Sequence, residues 1–134
     1  MPSLKPKIIS KNYLIIFYLS LLVVHVAHVF EEIYGGFLIL NEVGLRLFLA
    51  VNWILFCISV ALFYFVLNDK RWAYKLSMIY AGFMTFQGIG HNIATIITGR
   101  YFDGFAGGYT GIGLVTIGLP LIYVLAKTMP AARK

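Results

Sequence analysis

Residues 13–34 read YLIIFYLSLLVVHVAHVFEEIY, and this stretch decides the broad architecture of the chain. The run is almost wholly apolar and about 20 residues long, which is the length a helix needs to cross the hydrocarbon core of a bilayer. Its first acidic residues, Glu31 and Glu32, come only near its end. The stretch therefore predicts a membrane-spanning helix with a polar C-terminal end.

Three further stretches have the same apolar character, and short polar or glycine-rich breaks separate them. The four predicted spans lie near residues 13–34, 45–67, 72–97 and 111–126. Because little chain is left outside these spans, we predict an all-α protein. Its four transmembrane helices would form one antiparallel bundle and a single transmembrane domain over residues 1–134.

The composition supports a membrane protein. Of the 134 residues, 60% are hydrophobic and only 12% are charged, whereas a soluble globular domain carries roughly 25% charged residues. A water-soluble enzyme, a disordered regulator and a nucleic-acid-binding domain are therefore poor interpretations, despite the formal net charge of +6. A single cysteine, Cys57, allows no internal disulfide.

The placement of basic residues predicts the topology. Lysine and arginine concentrate on the cytoplasmic side of membrane proteins. One predicted side of this chain has only Arg46 and Arg100, and the other has Lys5, Lys7, Lys11, Lys70, Arg71, Lys75, Lys127, Arg133 and Lys134. We therefore expect both termini in the cytoplasm, and a multi-pass protein of the cytoplasmic (inner) membrane.

Polar side chains recur at one predicted depth, in the outer half of the bilayer. His25, His28 and Glu32 share a helical face in the first span, and Gln87 and His91 share one in the third. Ionisable groups inside a membrane are costly, so they turn inward and find partners. The full set of candidates is His25, His28, Glu31, Glu32, Asn52, Gln87, His91, Asn92 and Tyr109.

A divalent cation is the simplest partner for such a cluster, because imidazole nitrogens and carboxylate oxygens are ligands of zinc and iron. We predict catalytic and metal-ligating roles for His28, Glu31, Glu32 and His91, with one glutamate free to act as a general base. The remaining candidates would bind a cofactor or substrate or orient the ligands; they are His25, Gln87, Asn92, Asn52 and Tyr109.

The segment His28-Val29-Phe30-Glu31-Glu32 resembles the motif of the HXXEE-motif family of small bacterial and archaeal integral membrane proteins. His91 is similar to a second histidine of that family, and Tyr109-Thr110 resembles the start of a third segment, although Ile112 stands where the family has proline. The resemblance implies a shared polar site that is catalytic and metal-dependent. It implies no particular substrate, because the family has no assigned activity.

Three functions stay open at this point. The first is a membrane enzyme, a hydrolase, isomerase or oxidase, acting on a hydrophobic small molecule that enters from the membrane lipid. The second is a haem- or pigment-binding electron-transfer subunit, with His25 or His28 facing His91 across the bundle. The third is a proton or ion pathway. A homo-oligomer or a subunit of a larger membrane complex is compatible with each.

Overall fold

A computed structural model describes residues 5–131 of the chain, with side chains described from residue 11 onward. The described residues form helices and loops and no strand, which confirms the all-α class. The helices are α1 (Lys5–Tyr34), α2 (Leu38–Val43), α3 (Leu45–Leu67), α4 (Arg71–Thr98) and α5 (Gly108–Thr128). The ends of the predicted single domain, residues 1–4 and 132–134, lie outside the described residues.

Each of the four long helices contains one predicted apolar stretch, although α1 begins eight residues before the predicted start at residue 13 and α2 was not predicted. The sequence before α3 indicated only a turn, because glycine, asparagine and glutamate follow one another closely there. In the structure Gly36 and Gly44 take positive φ angles of 67° and 77°. These conformations favour glycine, and the backbone changes direction at both positions, before and after Leu38–Val43. The segment between them, Leu38–Val43, forms a short helix.

Three helical stretches are long and apolar enough to cross a membrane: Lys11–Tyr34, Leu45–Leu67 and Gly108–Thr128. Large apolar side chains cover the outside of the bundle, including Phe30 and Phe86, which are 67% and 72% exposed. Such a surface suits contact with lipid chains rather than water. Helix α4 is not among the three, because polar residues such as Gln87 interrupt its apolar character.

Helices α4 and α5 make the most extensive contact in the molecule, and α1 packs against α5. Glycines allow this close approach: a Cβ built at Gly111 would lie 2.9 Å from the carbonyl oxygen of Gly88. Small residues at helix interfaces are a common packing device in membranes. The arrangement brings the C-terminal half of α1, the C-terminal half of α4 and the first turn of α5 to one end of the bundle.

The loop between α4 and α5 folds back over this end. Its backbone is tied to the chain after α1, since the amide of Asp103 donates to the carbonyl of Gly35 at 2.8 Å. Within the loop the Arg100 guanidinium donates to the carbonyl of Asp103 at 2.8 Å. The amide of Phe105 donates to the carbonyl of Arg100 at 3.2 Å. The loop is thus a hydrogen-bonded cover over the polar ends of α1 and α4.

Candidate metal centre

Three of the four predicted ligands converge beneath the loop. His28 and Glu32 lie one turn apart on α1, and His91 faces them from α4; their exposed fractions are 1%, 3% and 6%. One ligand atom from each residue lies within 4.8 Å of the other two. The Nε2 atoms of His91 and His28 are 3.1 and 3.6 Å from the same oxygen, Oε1 of Glu32.

The tautomer of His28 follows from its hydrogen-bond partners. Its Nδ1 lies 2.9 Å from Oγ1 of Thr110, and that hydroxyl donates its one proton to the carboxylate of Glu31. The hydroxyl oxygen can therefore only accept from His28, so the proton of the neutral imidazole is assigned to Nδ1. Nε2 then carries a lone pair. This atom is buried and has no hydrogen-bond partner among the described residues.

His91 is held in the same way. Its Nδ1 lies 3.2 Å from the carbonyl oxygen of Phe105, which can only accept, so Nδ1 donates. The lone pair of a neutral His91 is therefore on Nε2, toward Glu32. Metal-ligating histidines usually donate their second ring nitrogen to an oxygen, which fixes the ring. Both imidazoles of this cluster meet that condition.

The spacing of the three atoms suits a small divalent cation. Bond lengths of about 2.0–2.1 Å in a tetrahedral zinc site imply that neighbouring ligand atoms are about 3.3 Å apart. The two measured separations from Oε1 of Glu32, 3.1 and 3.6 Å, lie on either side of that value. Three electron-rich atoms so close together repel one another. A positive charge among them, carried by a metal ion or by a proton on His91, removes that repulsion.

Gly107 packs against both imidazoles. A Cβ at this position would lie 2.7 Å from Cε1 of His28 and 2.9 Å from Nδ1 of His91. Its φ of 124° is also a conformation that residues with side chains rarely adopt. Glycine is therefore required here on both grounds, and it lets the loop close directly onto the cluster.

Glu31 does not join the cluster, although we predicted it as a ligand or base together with Glu32. It accepts hydrogen bonds from the hydroxyls of Tyr101 and Thr110 and from the backbone amides of Tyr109 and Thr110, the amides at 2.9 and 2.7 Å. These amides belong to the first turn of α5, whose free N–H groups favour an anion. Glu31 thus holds α5 in place and orients His28 through Thr110.

Tyr101 supports this arrangement from the loop. Burial, together with the neighbouring Glu31 carboxylate, raises the pKa of the Tyr101 phenol above its ordinary value. The phenol therefore keeps its proton and donates it to Glu31. Its ring packs edge-on against Tyr109 at 5.1 Å between centroids. The side chain of Tyr109, a predicted cofactor-binding residue, is 77% exposed and lies outside the cluster.

His25 and Asn52 lie apart from the metal-ligand group. Nδ1 of His25 is 3.0 Å from the hydroxyl of Tyr80, deeper in the bundle. Asn52 donates to the carbonyl of Phe48 on its own helix at 3.0 Å. Both residues line a separate apolar cavity of about 110 Å³ between α1 and α3. Asn52 also lines a cleft that contains Glu32, and no atom of His25 belongs to the group of candidate ligand atoms.

Asn92 and Gln87, the other two predicted binding residues on α4, have different surroundings. The amide of Asn92 donates to the carbonyls of Gly88 and Gly108 at 2.8 and 3.0 Å, so it joins α4 to the start of α5. Gln87 lies in the walls of two neighbouring clefts. Asn92 therefore contributes to helix packing, and Gln87 faces open space beside the cluster.

The two clefts reach the cluster from the side of the bundle. One has a volume of about 320 Å³ and includes His91 in its wall; the other has about 280 Å³ and includes Glu32. Four residues belong to both, namely Phe37, Ile39, Phe83 and Gln87. Two of the three candidate ligands, Glu32 and His91, thus border clefts on the apolar flank of the molecule, next to α2.

Comparison of the chain with protein-family models, with characterised proteins and with solved structures finds no match. The resemblance of the segment beginning at His28 to the HXXEE-motif family stays a prediction. The convergence of His28, Glu32 and His91 is what indicates a functional site.

Two parts of the site were not predicted from the sequence: the carbonyl of Phe105 and Gly107. Thr110 was named in the sequence as part of the pair Tyr109-Thr110, but no role was assigned to it. Gly107 is one of several glycines in the segment around the start of α5. Nothing in the pattern separates it from the others, because its role depends on contact with two residues from distant helices.

Proposed function

We propose that this protein is a metal-dependent integral membrane enzyme that acts on a lipid-soluble substrate. The observation that carries the proposal is the convergence of two imidazole Nε2 atoms, from His28 and His91, on Oε1 of Glu32. Both rings donate their Nδ1 protons to oxygen, and the buried Nε2 atom of His28 has no hydrogen-bond partner among residues 11–131. The resemblance to the HXXEE-motif family, which has its motif at the same residues, is in keeping with this proposal.

The donor set supports a catalytic rather than a purely structural centre. Structural zinc sites use four protein ligands, whereas catalytic sites use three and keep a position for water or substrate. Two histidines and one carboxylate also form the ligand set of many non-haem iron sites, so zinc and iron both suit the cluster. When bound, such a cation polarises its substrate and lowers the pKa of water. Hydrolysis, isomerisation and oxidation are all compatible with these ligands.

We also propose that α4 crosses the membrane, giving four spans with both termini in the cytoplasm. Helix α4 has 28 residues and therefore a length of about 42 Å, enough for the bilayer core. It packs along α5, which qualifies as a span on its own composition. Buried residues of α4 run from Ala73 to His91, so this helix is packed within the bundle over most of its length. A helix that packs along a membrane-spanning neighbour covers the same range of depths in the bilayer.

Metal analysis of the purified full-length protein tests the proposal. We expect about one zinc or iron ion per chain, and we expect His28→Ala, His91→Ala and Glu32→Gln each to lower the affinity at least ~100-fold, since each removes one of three ligands. Glu42→Gln is the matched control, because Glu42 is exposed on α2. A wild-type protein that binds zinc and iron no better than the three variants would overturn the proposal.

The haem alternative finds less support in the geometry. A haem ligated on both faces needs its two histidines on opposite sides of a flat ring. Here the His28 and His91 rings are 4.9 Å apart and nearly perpendicular, and both direct Nε2 toward one carboxylate oxygen. Gly107 fills the space beside both rings. A visible spectrum without a Soret band is the expected result for the purified protein.

A proton pathway is favoured by one observation and is the second candidate. Buried polar groups continue from the cluster into the other half of the bundle: His25 bonds to Tyr80, and the hydroxyl of Tyr18 donates to the carbonyl of Ser59 at 3.2 Å and lies 2.9 Å from Oγ of Ser77. Such hydroxyl chains can relay protons. Proton uptake by vesicles containing the wild-type protein, and its loss in Tyr18→Phe, would favour this function.

A further inference from the structure

The two clefts beside the cluster form one bent groove. They share Phe37, Ile39, Phe83 and Gln87, so they meet at a common middle section next to α2. From that middle one arm runs along α4 to His91, Gly90 and Phe105. The other arm runs along α3 to Leu47, Phe48 and Leu55. Phe37, which belongs to both arms, packs against the candidate ligand His91 at 4.6 Å between ring centroids.

The walls of both arms are mostly apolar, and among the described side chains no lysine or arginine belongs to either. Apart from the cation of the proposed function, a phosphate or a free carboxylate group would therefore have no positive partner in the groove, and burying one away from that cation would be costly. The polar side chains present in the walls are Glu32, His91, Gln87 and Asn52. The amides suit an uncharged carbonyl or hydroxyl group, which needs hydrogen bonds but no counter-charge.

The shape adds a second constraint. Because His91 lines one arm and Glu32 lines the other, a group presented to both residues has apolar space on both sides. A substrate with a polar head at one end of a single hydrocarbon chain would fill only one of the two apolar arms. A molecule with hydrocarbon on both sides of its reacting group fills both arms.

We propose that this groove binds an uncharged lipid whose reacting polar group is flanked by hydrocarbon on both sides, such as an ester joining two apolar chains. This inference rests on the proposed function, since it assigns the substrate class of the same site. The bound lipid approaches from the bilayer past Phe83 and Phe86, and Gln87 hydrogen-bonds its polar group at the bend.

Two glycines of α4 provide a matched pair of variants for the test. A Cβ at Gly90 or at Gly82 would meet nothing within 4 Å, so both positions tolerate a larger side chain. Gly90 lies in the wall of the arm that reaches His91, and Gly82 lies in neither arm. Gly90→Leu therefore fills the groove, whereas Gly82→Leu adds the same side chain elsewhere on the same helix.

The experiment is photo-crosslinking of the full-length protein in nanodiscs with three probes that carry the same diazirine-labelled chain. The first is a long-chain alkyl ester, the second the free fatty acid and the third a phosphatidylglycerol. We expect the ester to label groove residues of α2, α3 and α4 in wild type and in Gly82→Leu, and labelling to fall about tenfold in Gly90→Leu through overpacking. We expect the two anionic probes to label the groove weakly.

Equal labelling by the ester in Gly90→Leu and wild type would overturn the inference, as would labelling of the groove by an anionic probe at the level of the ester. Zinc affinity, measured on the same samples, is expected to be unchanged in Gly90→Leu. A protein that binds the ester in the groove but no metal contradicts the proposed function alone. A protein that binds metal but not the ester contradicts this inference alone.

Discussion

At the scale of single residues, Glu31 and Glu32 are adjacent in sequence and have different surroundings. Glu32 faces the two imidazoles, whereas Glu31 turns toward α5 and accepts three hydrogen bonds there and a fourth from Tyr101. Helical spacing alone predicted that His28 shares a face with Glu32 and lies near Glu31. It could not separate their roles, because the partner that captures Glu31, Thr110, is 79 residues away along the chain.

The link from Glu31 through Thr110 to His28 yields a residue-scale prediction. Thr110→Val removes the hydroxyl that accepts the Nδ1 proton of His28, so the ring loses the contact that fixes its tautomer. Loss of such a contact typically costs about 10–100-fold in metal affinity. Thr110→Ser keeps the hydroxyl and is expected to retain the affinity. Competition titration with zinc measures both variants.

The ¹⁵N NMR shifts of His28 provide a readout that a purely structural effect would not change. Wild type and Thr110→Ser should show the tautomer with the proton on Nδ1, and Thr110→Val should show a mixture. Wild-type zinc affinity in Thr110→Val would contradict the assigned role of this hydroxyl.

Alanine substitutions at Gly107 and Gly99 distinguish the effect of backbone strain from the effect of a side chain that contacts the imidazoles. Gly107→Ala places a Cβ 2.7 Å from Cε1 of His28, whereas at Gly99, which also has a positive φ of 66°, a Cβ meets nothing within 4 Å. Each alanine variant should lose roughly 1–3 kcal/mol of stability through backbone strain. Zinc titration should show weakened binding in Gly107→Ala only. Equal zinc affinities in the two variants would contradict the close packing of Gly107 on the imidazoles.

At the scale of helices, the contact between α4 and α5 depends on glycines. A Cβ at position 88 would lie 3.1 Å from the carbonyl carbon of Gly111 and from Cβ of Leu114, and Gly82 on the same helix faces open space. Gly88→Ala should therefore destabilise the protein by about 1–3 kcal/mol, as overpacking does. Gly82→Ala should stabilise it by up to ~1 kcal/mol, because alanine favours the helix. Thermal unfolding in detergent should show a lower melting temperature for Gly88→Ala and a higher one for Gly82→Ala. Changes in the same direction would contradict this packing.

The helices themselves follow closely from the sequence, because long apolar runs leave the backbone no alternative to helix in a bilayer. The predicted bounds of residues 45–67 and 72–97 agree with α3 and α4 within one residue. The short helix α2 and the closed loop after Gly99 could not be predicted in this way. Their form depends on tertiary contacts such as the hydrogen bond between Asp103 and Gly35, which no local pattern encodes.

At the scale of the whole molecule, the number of spans decides where the chain ends lie. Four spans put both ends on the same side, whereas the three spans that qualify by composition alone would put them on opposite sides. We expect a fluorescent protein fused to either end to fold in the cytoplasm, and alkaline phosphatase fused to either end to be inactive. An active phosphatase at one end only would show that α4 does not cross, and would contradict the proposed topology.

The order in which the site's parts leave the ribosome has a consequence for biogenesis. His28 and Glu32 emerge early and His91 much later, and the groups that orient the imidazoles, at Phe105, Gly107 and Thr110, come last. During synthesis the first helix therefore enters the translocon with two ionisable ligands that have no permanent neighbour. Only insertion of the final helix completes their environment, so binding of the proposed cation would require that the polypeptide has been fully assembled.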